Sequence, residues 1–337
     1  MTGAAPVGVA VYGTGRAGTE IVRACGLRPD VRVVAGIAAT KAKEGADLGA
    51  VTVGAPLGVE VTCDLEGVLA RPDVDVVLHA GIGTPPEVAS LLGRCADAGK
   101  DAITVAGLVH PPTALGAEGA AALHGRARDG GARVVGTGVN PGFLLDALPA
   151  VWGSMVGRVD RLHARRVGDI RHWGAGALDG EVGLGRPPEE VRGNRALSLD
   201  ESLALVAEAL DLRFDRTEDL HEALPAPNVR EHGGRRVAPG RTMGFRRRSI
   251  GRRGGDVLAE IEWIAIFCLD PARDGVEEAA TLRIEGDSNV EASASGTFFG
   301  DPYPSTAARA VNAIGPLRSL PPGLYRPDEL PSSSRPR

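Results

Sequence analysis

The 337-residue sequence contains few aromatic residues, few cysteines and no long apolar run. Phe, Trp and Tyr together make up 4% of the chain. The cysteines are scattered without CxxC spacing, so we expect reduced thiols and neither a disulfide framework nor a metal site. They are Cys25, Cys63, Cys95 and Cys268. Since no apolar stretch reaches the roughly 18 residues of a membrane span, and no basic signal region precedes the first strand, we expect a cytoplasmic protein.

A large excess of charge is also missing, because the formal net charge is only −5. This value argues against general binding to nucleic acid or membrane surfaces. One basic stretch, RRRSIGRR at 246–253, is interpreted as a solvated hairpin rim, with attraction of an anionic substrate as the alternative. No His, Asp or Glu cluster has the spacing of a metal site, so no metal is predicted.

The sequence does have enough length and apolar residues, 43% of the chain, for two domains with cores. Its first half alternates short, continuously apolar strands with helical stretches, which is typical of a parallel sheet covered on both faces. We predict strands at Val7–Tyr12, Arg32–Ile37, Val59–Thr62, Val74–Ala80, Ala102–Ala106 and Arg133–Gly136. The predicted fold is α/β, with an N-terminal doubly wound sheet.

A glycine-rich loop, YGTGRAG, directly follows the first strand and opens the first helix. In a G-x-G-x-x-G of this context, the first glycine allows a tight turn, the second admits a pyrophosphate, and the third packs helix on strand. The helix N-terminus favours phosphate binding. We therefore predict a Rossmann domain whose cofactor-binding loop is Gly13, Thr14, Gly15, Arg16, Ala17 and Gly18. The alternative is a glycine turn kept only for packing.

The end of the second strand indicates which dinucleotide is bound. NAD enzymes usually have an acidic residue there for the ribose 2′-hydroxyl. This chain instead has Ala38 and Ala39, followed by Thr40, Lys41 and Lys43. Hydroxyl and cationic groups without an acid suit a 2′-phosphate, so Thr40 and Lys41 are cofactor candidates and NADP(H) is favoured over NAD(H). The alternative is that the lysines are solvated loop charges.

The second half has a different pattern and predicts an α+β domain. A strand at Val159–Val167 precedes a Gly/Pro-rich loop from Asp169 to Gly193 and a helix at Asp200–Leu210. Alternating segments near Val237–Ser249, Val257–Leu269, Glu277–Gly286 and Val290–Phe299 then indicate an open sheet with mixed or antiparallel strands. A last helix is predicted at Ser305–Ile314.

Several motifs resemble one known family. They are the YGTGRAG loop, GTGVNPGF at 136–143, RIEGD at 283–287, GTFFGD at 296–301 and the PPGLYRPDELP segment. Together they resemble the dihydrodipicolinate reductase-like family, and within it the 2,4-diaminopentanoate dehydrogenases and native amine dehydrogenases. The resemblance covers most of the chain.

The resemblance implies a domain organisation and a reaction. Residues 1–143 with 303–330 would form the dinucleotide-binding domain, and residues 144–302 the substrate-binding and dimerisation domain. The protein would be a homodimer or a higher homo-oligomer acting on a small molecule. The reaction would be hydride transfer between a nicotinamide and an imine or amine carbon. Residues 331–337, PSSSRPR, are expected to form a flexible tail.

One departure from the family concerns the segment after the fifth strand. The resemblance implies a pair of glutamates there, which help to handle ammonium and its protons. This chain reads TVAGLVH from Thr104 to His110, without either carboxylate. An ammonium ion would lack its counter-charge, so the sequence argues against simple amine dehydrogenation with free ammonia.

Two residues are candidates for proton transfer. His110 follows the fifth strand, and the near-neutral pKa of an imidazole suits a proton donor, with a loop histidine held by prolines as the alternative. Asp146 either orients a proton donor or caps a helix. His79 ends the fourth strand, where a substrate contact and a core histidine are both considered. Gly81 follows it in a loop predicted to line the nicotinamide ribose.

Asn140 is predicted to contact the cofactor carboxamide or the substrate, and the alternative is a turn residue. Gly107, Gly142 and Phe143 are further candidates for substrate contact. In the second half, Arg166 is predicted to hold a substrate carboxylate, unless it forms a structural ion pair with Asp169. Trp173, on the long loop, completes the substrate candidates.

Three functions remain open from the sequence. The leading hypothesis is an NADP(H)-dependent oxidoreductase acting on C=N or CH–NH bonds. The first alternative is a carbonyl reductase or a redox-neutral enzyme on the same scaffold. The second is a non-catalytic protein that senses nucleotides.

Overall fold

The chain forms two compact units, one comprising Met1–Phe143 with Tyr303–Arg337 and the other Leu144–Pro302. The computed structural model describes residues 5–192 and 199–331, so the expected flexible tail lies outside the described residues except for Pro331. Within those ranges, no helix combines the length and apolar character that a membrane span requires. The two units are described in turn.

The first unit is built on a seven-stranded sheet in which all strands are parallel. Its strands are β1 (Val7–Tyr12), β2 (Val31–Ile37), β3 (Val61–Thr62), β4 (Val76–His79), β5 (Asp101–Thr104), β6 (Arg133–Gly136) and β15 (Gly323–Tyr325). The spatial order is β15-β6-β5-β4-β1-β2-β3. The order reverses beside β1, and ligands of open α/β sheets bind at the carboxyl ends of strands at such a point.

Helices cover both faces of this sheet. They are α1 (Arg16–Gly26), α2 (Leu48–Thr52), α3 (Leu65–Leu69), α4 (Pro85–Asp97), α5 (Pro111–Asp129) and α9 (Pro302–Arg318). Val9 and Val11 of β1 pack into a core that includes residues of α1 and α9, whereas Ala10 packs into a second core with residues of α3, α4 and α5. Because both faces are buried, the strands are continuously apolar, as the sequence pattern predicted.

The second unit contains a six-stranded mixed sheet in the order β14-β13-β7-β12-β11-β8. The strands are β7 (Val159–Asp169), β8 (Arg216–Pro225), β11 (Thr242–Arg253), β12 (Asp256–Ile266), β13 (Ala279–Gly286) and β14 (Val290–Ala294). Only β7 and β12 run parallel to each other in this sheet. The unit also has a small hairpin, β9 (Arg230–His232) with β10 (Arg235–Val237), and the helices α6 (Ala147–Gly153), α7 (Asp200–Ala209) and α8 (Pro271–Asp274). The predicted fold class is confirmed for both units.

The two faces of the second sheet differ in polarity. Ala259, Ile261 and Trp263 of β12 are buried, and α7 packs against β11 and β12. The intervening Glu262 points to the opposite face, where Arg246 donates to it at 2.5 Å and Arg165 lies 2.9 Å away. Burial raises the pKa of Glu262, but its contacts with His163 and Arg246 outweigh this and lower the pKa to about 2. This face is therefore charged and internally neutralised.

The basic stretch at 246–253 is not a solvated rim. It forms most of β11, and its arginines are paired with carboxylates on neighbouring strands. The pairs are Arg246–Glu262, Arg247–Asp219, Arg248–Glu260 and Arg252–Glu218. Arg246 and Arg248 meet their partners on the charged face, whereas Arg247 points to the opposite face of the sheet and pairs there. The interpretation as a solvated hairpin rim was therefore wrong for these four arginines.

Candidate functional site

The glycine loop forms the tight turn that its spacing predicted. The Gly13 amide donates to the Ile37 carbonyl at 2.8 Å, and Gly13 has a φ of 107°. A Cβ on Gly13 would lie 2.9 Å from the carbonyl of Ala80. A Cβ on Gly18 would lie 1.8 Å from the Gly13 oxygen, so helix α1 passes directly against the turn. These two glycines are required by backbone contacts alone.

Gly15 differs from both of them. It is the N-cap of α1, with a φ of −87° that any residue can adopt, and it is exposed. A Cβ there would have no atom within 4 Å, and no side chain caps the helix. The eleven-residue helix α1 therefore begins at a position with open space beside it. This loop fits the diphosphate of a dinucleotide, since the N–H groups at a helix N-terminus and the helix dipole both favour an anion.

The end of β2 places a cation on the glycine loop. Ala38 is buried, whereas Ala39, Thr40 and Lys41 are exposed. A 3-10 turn, Lys41–Lys43, then directs Lys43 back, so that its Nζ donates to the Thr14 carbonyl at 2.8 Å. Lys43 was not among the candidate site residues. The turn that reverses the chain within three residues brings Lys43, rather than Lys41, onto the loop.

Helix α9 also reaches the glycine loop. The Arg16 guanidinium lies over the Tyr303 ring, 5.8 Å from its centroid, and its Nε lies 3.9 Å from Glu20. Tyr303 is in the first turn of α9, some 280 residues away along the chain. Such a contact leaves no local signal in sequence, and Tyr303 was missed for that reason. It adds an aromatic face beside the predicted phosphate loop.

His79, at the end of β4, is buried and neutral. Its Nδ1 lies 2.9 Å from the Thr104 hydroxyl, and its ring lies 5.1 Å from that of Tyr12. Burial lowers the pKa of His79 to about 4, so the ring is uncharged at pH 7. A Cβ on Gly81 would lie 2.6 Å from Nε2, so the following loop passes directly over the ring. These contacts agree with the core histidine that the sequence analysis considered.

The turn after β5 is backbone-strained and closely packed. Gly107 and Leu108 both have positive φ, 83° and 58°. For leucine this conformation is uncommon and costs about 1 kcal/mol or more, which is typical of functional loops. A Cβ on Gly136 would lie 2.2 Å from the Gly107 oxygen and 2.4 Å from the Leu108 oxygen. The ends of β5 and β6 are therefore in direct contact.

His110 begins helix α5 as its N-cap and is 7% exposed. Its Nδ1 accepts from the Thr113 amide at 3.3 Å and lies 2.9 Å from the Thr113 hydroxyl. Because Nδ1 accepts, Nε2 holds the proton of the neutral ring. The residue thus has a structural role as a helix cap, and proton transfer by His110 stays a prediction.

The turn after β6 contains buried polar atoms without partners. Among the described residues, neither Oδ1 nor Nδ2 of Asn140 has a hydrogen bond, and neither does Oγ1 of Thr137, which is 1% exposed. Gly142 has a φ of 122°, and a Cβ there would lie 2.3 Å from the Gly138 amide. Buried polar groups are normally paired, so this cluster is suited to a hydrogen-bonding ligand. Thr137 was not among the candidate residues.

Phe143 follows directly and is partly covered. The guanidinium of Arg309, on α9, lies 4.5 Å from the centroid of its ring. Helix α9 therefore touches the turn after β6 as well as the glycine loop. The strand-end candidates of the first unit thus lie along one edge of its sheet, with α9 beside them.

Arg166 and Trp173 belong to the second unit. Arg166 is 4% exposed, and its guanidinium lies 5.3 Å from the Trp263 ring and 5.8 Å from the Phe299 ring. Trp173 contacts Trp263 with a centroid distance of 5.7 Å. Burial lowers the pKa of Arg166 to about 10, so it stays charged at pH 7.

The alternative ion pair between Arg166 and Asp169 is not formed. Asp169 instead pairs with Arg171 and accepts the amides of Cys268 and Leu269. The reason is strand geometry, since residues three apart on a strand point to opposite faces. The alternation of β7 could have excluded this pair from sequence alone.

Asp146 is fully buried and serves as the N-cap of α6. It accepts from the Ala147 amide at 2.8 Å and from the Ser202 hydroxyl at 2.9 Å, which links α6 to α7. This arrangement matches the helix-capping interpretation, and a part in proton transfer remains an untested prediction. Among the described residues, no group of three or more His, Cys, Asp or Glu side chains is placed to hold a metal.

Curated relatives are similar over only part of their length. An amine dehydrogenase from Streptomyces virginiae is 28% identical over 191 residues, covering 54% of this chain and 51% of that protein. A 2,4-diaminopentanoate dehydrogenase from Acetoanaerobium sticklandii is 25% identical over 214 residues, covering 61% and 59%. The alignments thus span little more than half the length of these relatives.

Solved structures share the fold. Amine dehydrogenase from Mycobacterium smegmatis superposes with a TM-score of 0.81 at 23% identity, covering 97% of both chains. GenD2 from gentamicin A biosynthesis, solved in complex with NAD, has a TM-score of 0.54 at 16% identity, covering 96% of this chain and 90% of that one.

Family models match most of the sequence. Residues 7–107 match the dihydrodipicolinate reductase N-terminus, and residues 143–335 match the 2,4-diaminopentanoate dehydrogenase C-terminal domain. The second match alone covers more than half of the chain, so the resemblance seen in the sequence motifs is confirmed. The protein therefore belongs to the 2,4-diaminopentanoate dehydrogenase family, with a dihydrodipicolinate reductase type of N-terminal region.

Proposed function

We propose that the protein is an NADP(H)-dependent oxidoreductase that transfers hydride to or from the carbon of a C=N or CH–NH group. The main observation in support is the glycine loop, which opens helix α1 at Gly15 with no atom within 4 Å of the position that a Cβ would take. Family membership and the amine dehydrogenase relatives support the imine/amine chemistry. The first unit would hold the dinucleotide and the second the substrate.

In this proposal the diphosphate binds to the loop from Gly13 to Gly18, and the 2′-phosphate binds near Thr40, Lys41 and Lys43. The interaction of Lys43 with the Thr14 carbonyl fixes one positive charge beside the loop. No acidic side chain follows β2 until Glu44, so a ribose 2′-hydroxyl would lack its usual acceptor.

Substituting Ala39 tests this preference. An Ala39→Asp variant provides an acceptor for a ribose 2′-hydroxyl and repels a 2′-phosphate, so we expect NADPH affinity to fall about tenfold and NADH affinity to rise. Calorimetric titration with each cofactor measures both changes. Ala122→Asp, on the exposed side of α5, adds the same charge elsewhere and is expected to change neither affinity. Unchanged NADPH affinity in Ala39→Asp would mean that the 2′-phosphate binds at another position.

When bound, the nicotinamide supplies or accepts the hydride. The protein's own residues position the reacting groups and move the proton. Asn140 and Thr137 offer an amide and a hydroxyl that have no partners among the described residues, and we assign them to the cofactor carboxamide or the substrate. Gly107, Gly142 and Phe143 would line the substrate position. Gly81 and the neutral His79 below it would shape the nicotinamide side.

His110 is the proposed proton donor, through the Nε2 proton. His110→Ala removes both this proton and the cap of α5, whereas His110→Asn keeps a good N-cap residue. We expect kcat to fall about 100-fold in both variants, because general acid catalysis contributes that much or more. Thermal stability should fall only in the alanine variant. If His110→Asn restored kcat and its pH dependence, the residue would be only a cap.

The charged face of the second sheet is proposed to pair two copies of the chain. Its rows alternate in sign between neighbouring strands, as in Arg248–Glu260 and Arg165–Glu262, so a copy related by a two-fold axis can meet it with opposite charges. Sedimentation velocity at low and high salt measures the assembly. A monomer at both salt concentrations would contradict this part of the proposal.

A substrate panel tests the reaction class. With NADPH at saturation, we expect oxidation of the cofactor when imines are added and little with matched ketones. Faster turnover of ketones would favour the carbonyl-reductase alternative. The segments that follow β4, β5 and β6 lack acidic side chains, and this observation supports that alternative. Tight cofactor binding without turnover on either class would favour nucleotide sensing.

A further inference from the structure

Arg16 and Tyr303 form a pair at the glycine loop of the first unit. The Arg16 guanidinium lies over the Tyr303 ring, 5.8 Å from its centroid, which is within the range of a cation–π contact. Arg16 is the first residue of α1, and its side chain is 55% exposed. Its contact with Glu20 is long, at 3.9 Å, and Arg23 donates to that carboxylate at 2.6 Å. The aromatic ring therefore helps to orient a guanidinium that is open to solvent.

The packing of α9 holds Tyr303 in place. Val311 of α9 and Ile21 of α1 are buried in one core. Further along the chain from α1, the Arg28 guanidinium donates to the side chain of Asn312 on α9 at 2.8 Å. The two helices are therefore fixed side by side, and the ring has a defined position beside the glycine loop. A cation that is already oriented loses less conformational freedom when it binds an anion, and this raises affinity.

The position of α9 decides which phosphate of a dinucleotide Arg16 can bind. Helix α9 also reaches the turn after β6, where the Arg309 guanidinium lies 4.5 Å from the centroid of the Phe143 ring. In the sheet, β6 and β2 lie on opposite sides of β1. The Tyr303 ring therefore draws Arg16 towards the β6 side, away from the end of β2 to which the 2′-phosphate is assigned. Gly15, the neighbour of Arg16, borders the open space assigned to the diphosphate.

On the basis of the proposed function, we propose that Arg16 binds the diphosphate of the dinucleotide and that Tyr303 is its positioning residue. The planar guanidinium can donate two N–H groups to phosphate oxygens, which a lysine cannot do in a fixed geometry. Tyr303 lies outside residues 7–107, which match the dihydrodipicolinate reductase N-terminus, and inside the C-terminal match at 143–335. The C-terminal region of the chain therefore completes the dinucleotide site.

Fragments of the cofactor identify the phosphate that Arg16 binds. ADP-ribose contains the diphosphate without a 2′-phosphate, whereas adenosine 2′-monophosphate contains the 2′-phosphate without the diphosphate. We expect Arg16→Gln to lower the affinity for NADPH and for ADP-ribose about tenfold, because charge-assisted hydrogen bonds are lost. The affinity for the monophosphate should stay within about twofold. Calorimetric titration, by displacement for the weaker fragments, measures all three.

A matched control removes an arginine elsewhere in the same unit. Arg128→Gln, in the last turn of α5, changes the net charge equally at a side chain that is 67% exposed. This variant should bind NADPH and both fragments as the parent does. A tenfold loss of NADPH affinity in Arg128→Gln as well would mean that net charge, rather than a contact of Arg16, explains the effect.

Variants of Tyr303 test its positioning role. Tyr303→Leu should lower NADPH affinity about fivefold, the size of an exposed cation–π contact, whereas Tyr303→Phe keeps the ring and should stay within about twofold of the parent. In the Arg16→Gln background, Tyr303→Leu should have no further effect, because the ring acts through Arg16. A merely structural role would lower affinity equally in both backgrounds. Thermal unfolding of each variant checks that the fold is retained.

Each contrary outcome overturns a different level of the proposal. Equal effects of Tyr303→Leu in both backgrounds, or no effect in either, would overturn the positioning role. If Arg16→Gln weakened binding of adenosine 2′-monophosphate and left that of ADP-ribose unchanged, the diphosphate assignment would be wrong. A parent protein that bound neither NADPH nor ADP-ribose would instead overturn the proposed function itself.

Discussion

A Gly15→Leu variant is expected to fold like the parent and to lose its dinucleotide. The backbone at Gly15 is extended rather than left-handed, and no atom lies within 4 Å of the position a Cβ would take. Stability should therefore change by no more than about 0.5 kcal/mol, as at other exposed positions. The leucine would fill the space assigned to the diphosphate and cover the amides of α1. We expect NADPH affinity to fall about 100-fold or more, the effect of losing several charge-assisted bonds.

Calorimetry with NADPH and a thermal unfolding scan measure the two quantities on the same sample. Gly15→Ala is the graded control, because its smaller side chain should give a smaller loss of affinity at the same stability. Unchanged affinity in the leucine variant would mean that the cofactor does not lie against this loop.

Gly18→Ala, unlike Gly15→Leu, should lower the free energy of unfolding. A Cβ there would lie 1.8 Å from the Gly13 oxygen, a backbone atom that cannot move without opening the turn. Overpacking of this kind costs about 3 kcal/mol or more, enough to lower the unfolding temperature by several degrees. Elsewhere in a helix the same substitution is favourable, because alanine has the higher helix propensity.

Gly26→Ala provides the matched control for that comparison. Gly26 ends the same helix, and a Cβ there would have no neighbour within 4 Å. Its substitution is expected to be neutral or slightly stabilising. Equal unfolding temperatures for Gly18→Ala and Gly26→Ala would show that the close approach of α1 to the turn is relaxed in solution.

The elements with strong local patterns were predictable from sequence. The strand, glycine turn and helix from Val7 to Gly26 follow a fixed spacing whose physical reasons are local. The buried strands β4 to β6 are continuously apolar because both faces are covered. Edge strand β8 was missed, since RTEDLHEALP is highly charged and lacks an apolar face. Strand β15, with three residues, was too short to leave a pattern.

Site residues were predictable only where their position relative to a strand identifies them. Asn140 was chosen from its place after a strand and Arg166 from its place on one, and both have side-chain polar atoms without hydrogen-bond partners among the described residues. Tyr303 was missed, and Lys43 was noted but not chosen as a candidate, because tertiary contact, not spacing, brings them to the glycine loop. The false alternative, an Arg166–Asp169 pair, arose from counting sequence distance without strand alternation.

The most direct test of the central claim is titration of the purified protein with NADPH and, separately, with NADH, followed by calorimetry. The account predicts tight binding of NADPH and weaker binding of NADH, with both lost in Gly15→Leu. A preference for NADH would contradict the assignment of Thr40, Lys41 and Lys43 to a 2′-phosphate. Binding of neither cofactor would contradict the oxidoreductase assignment as a whole.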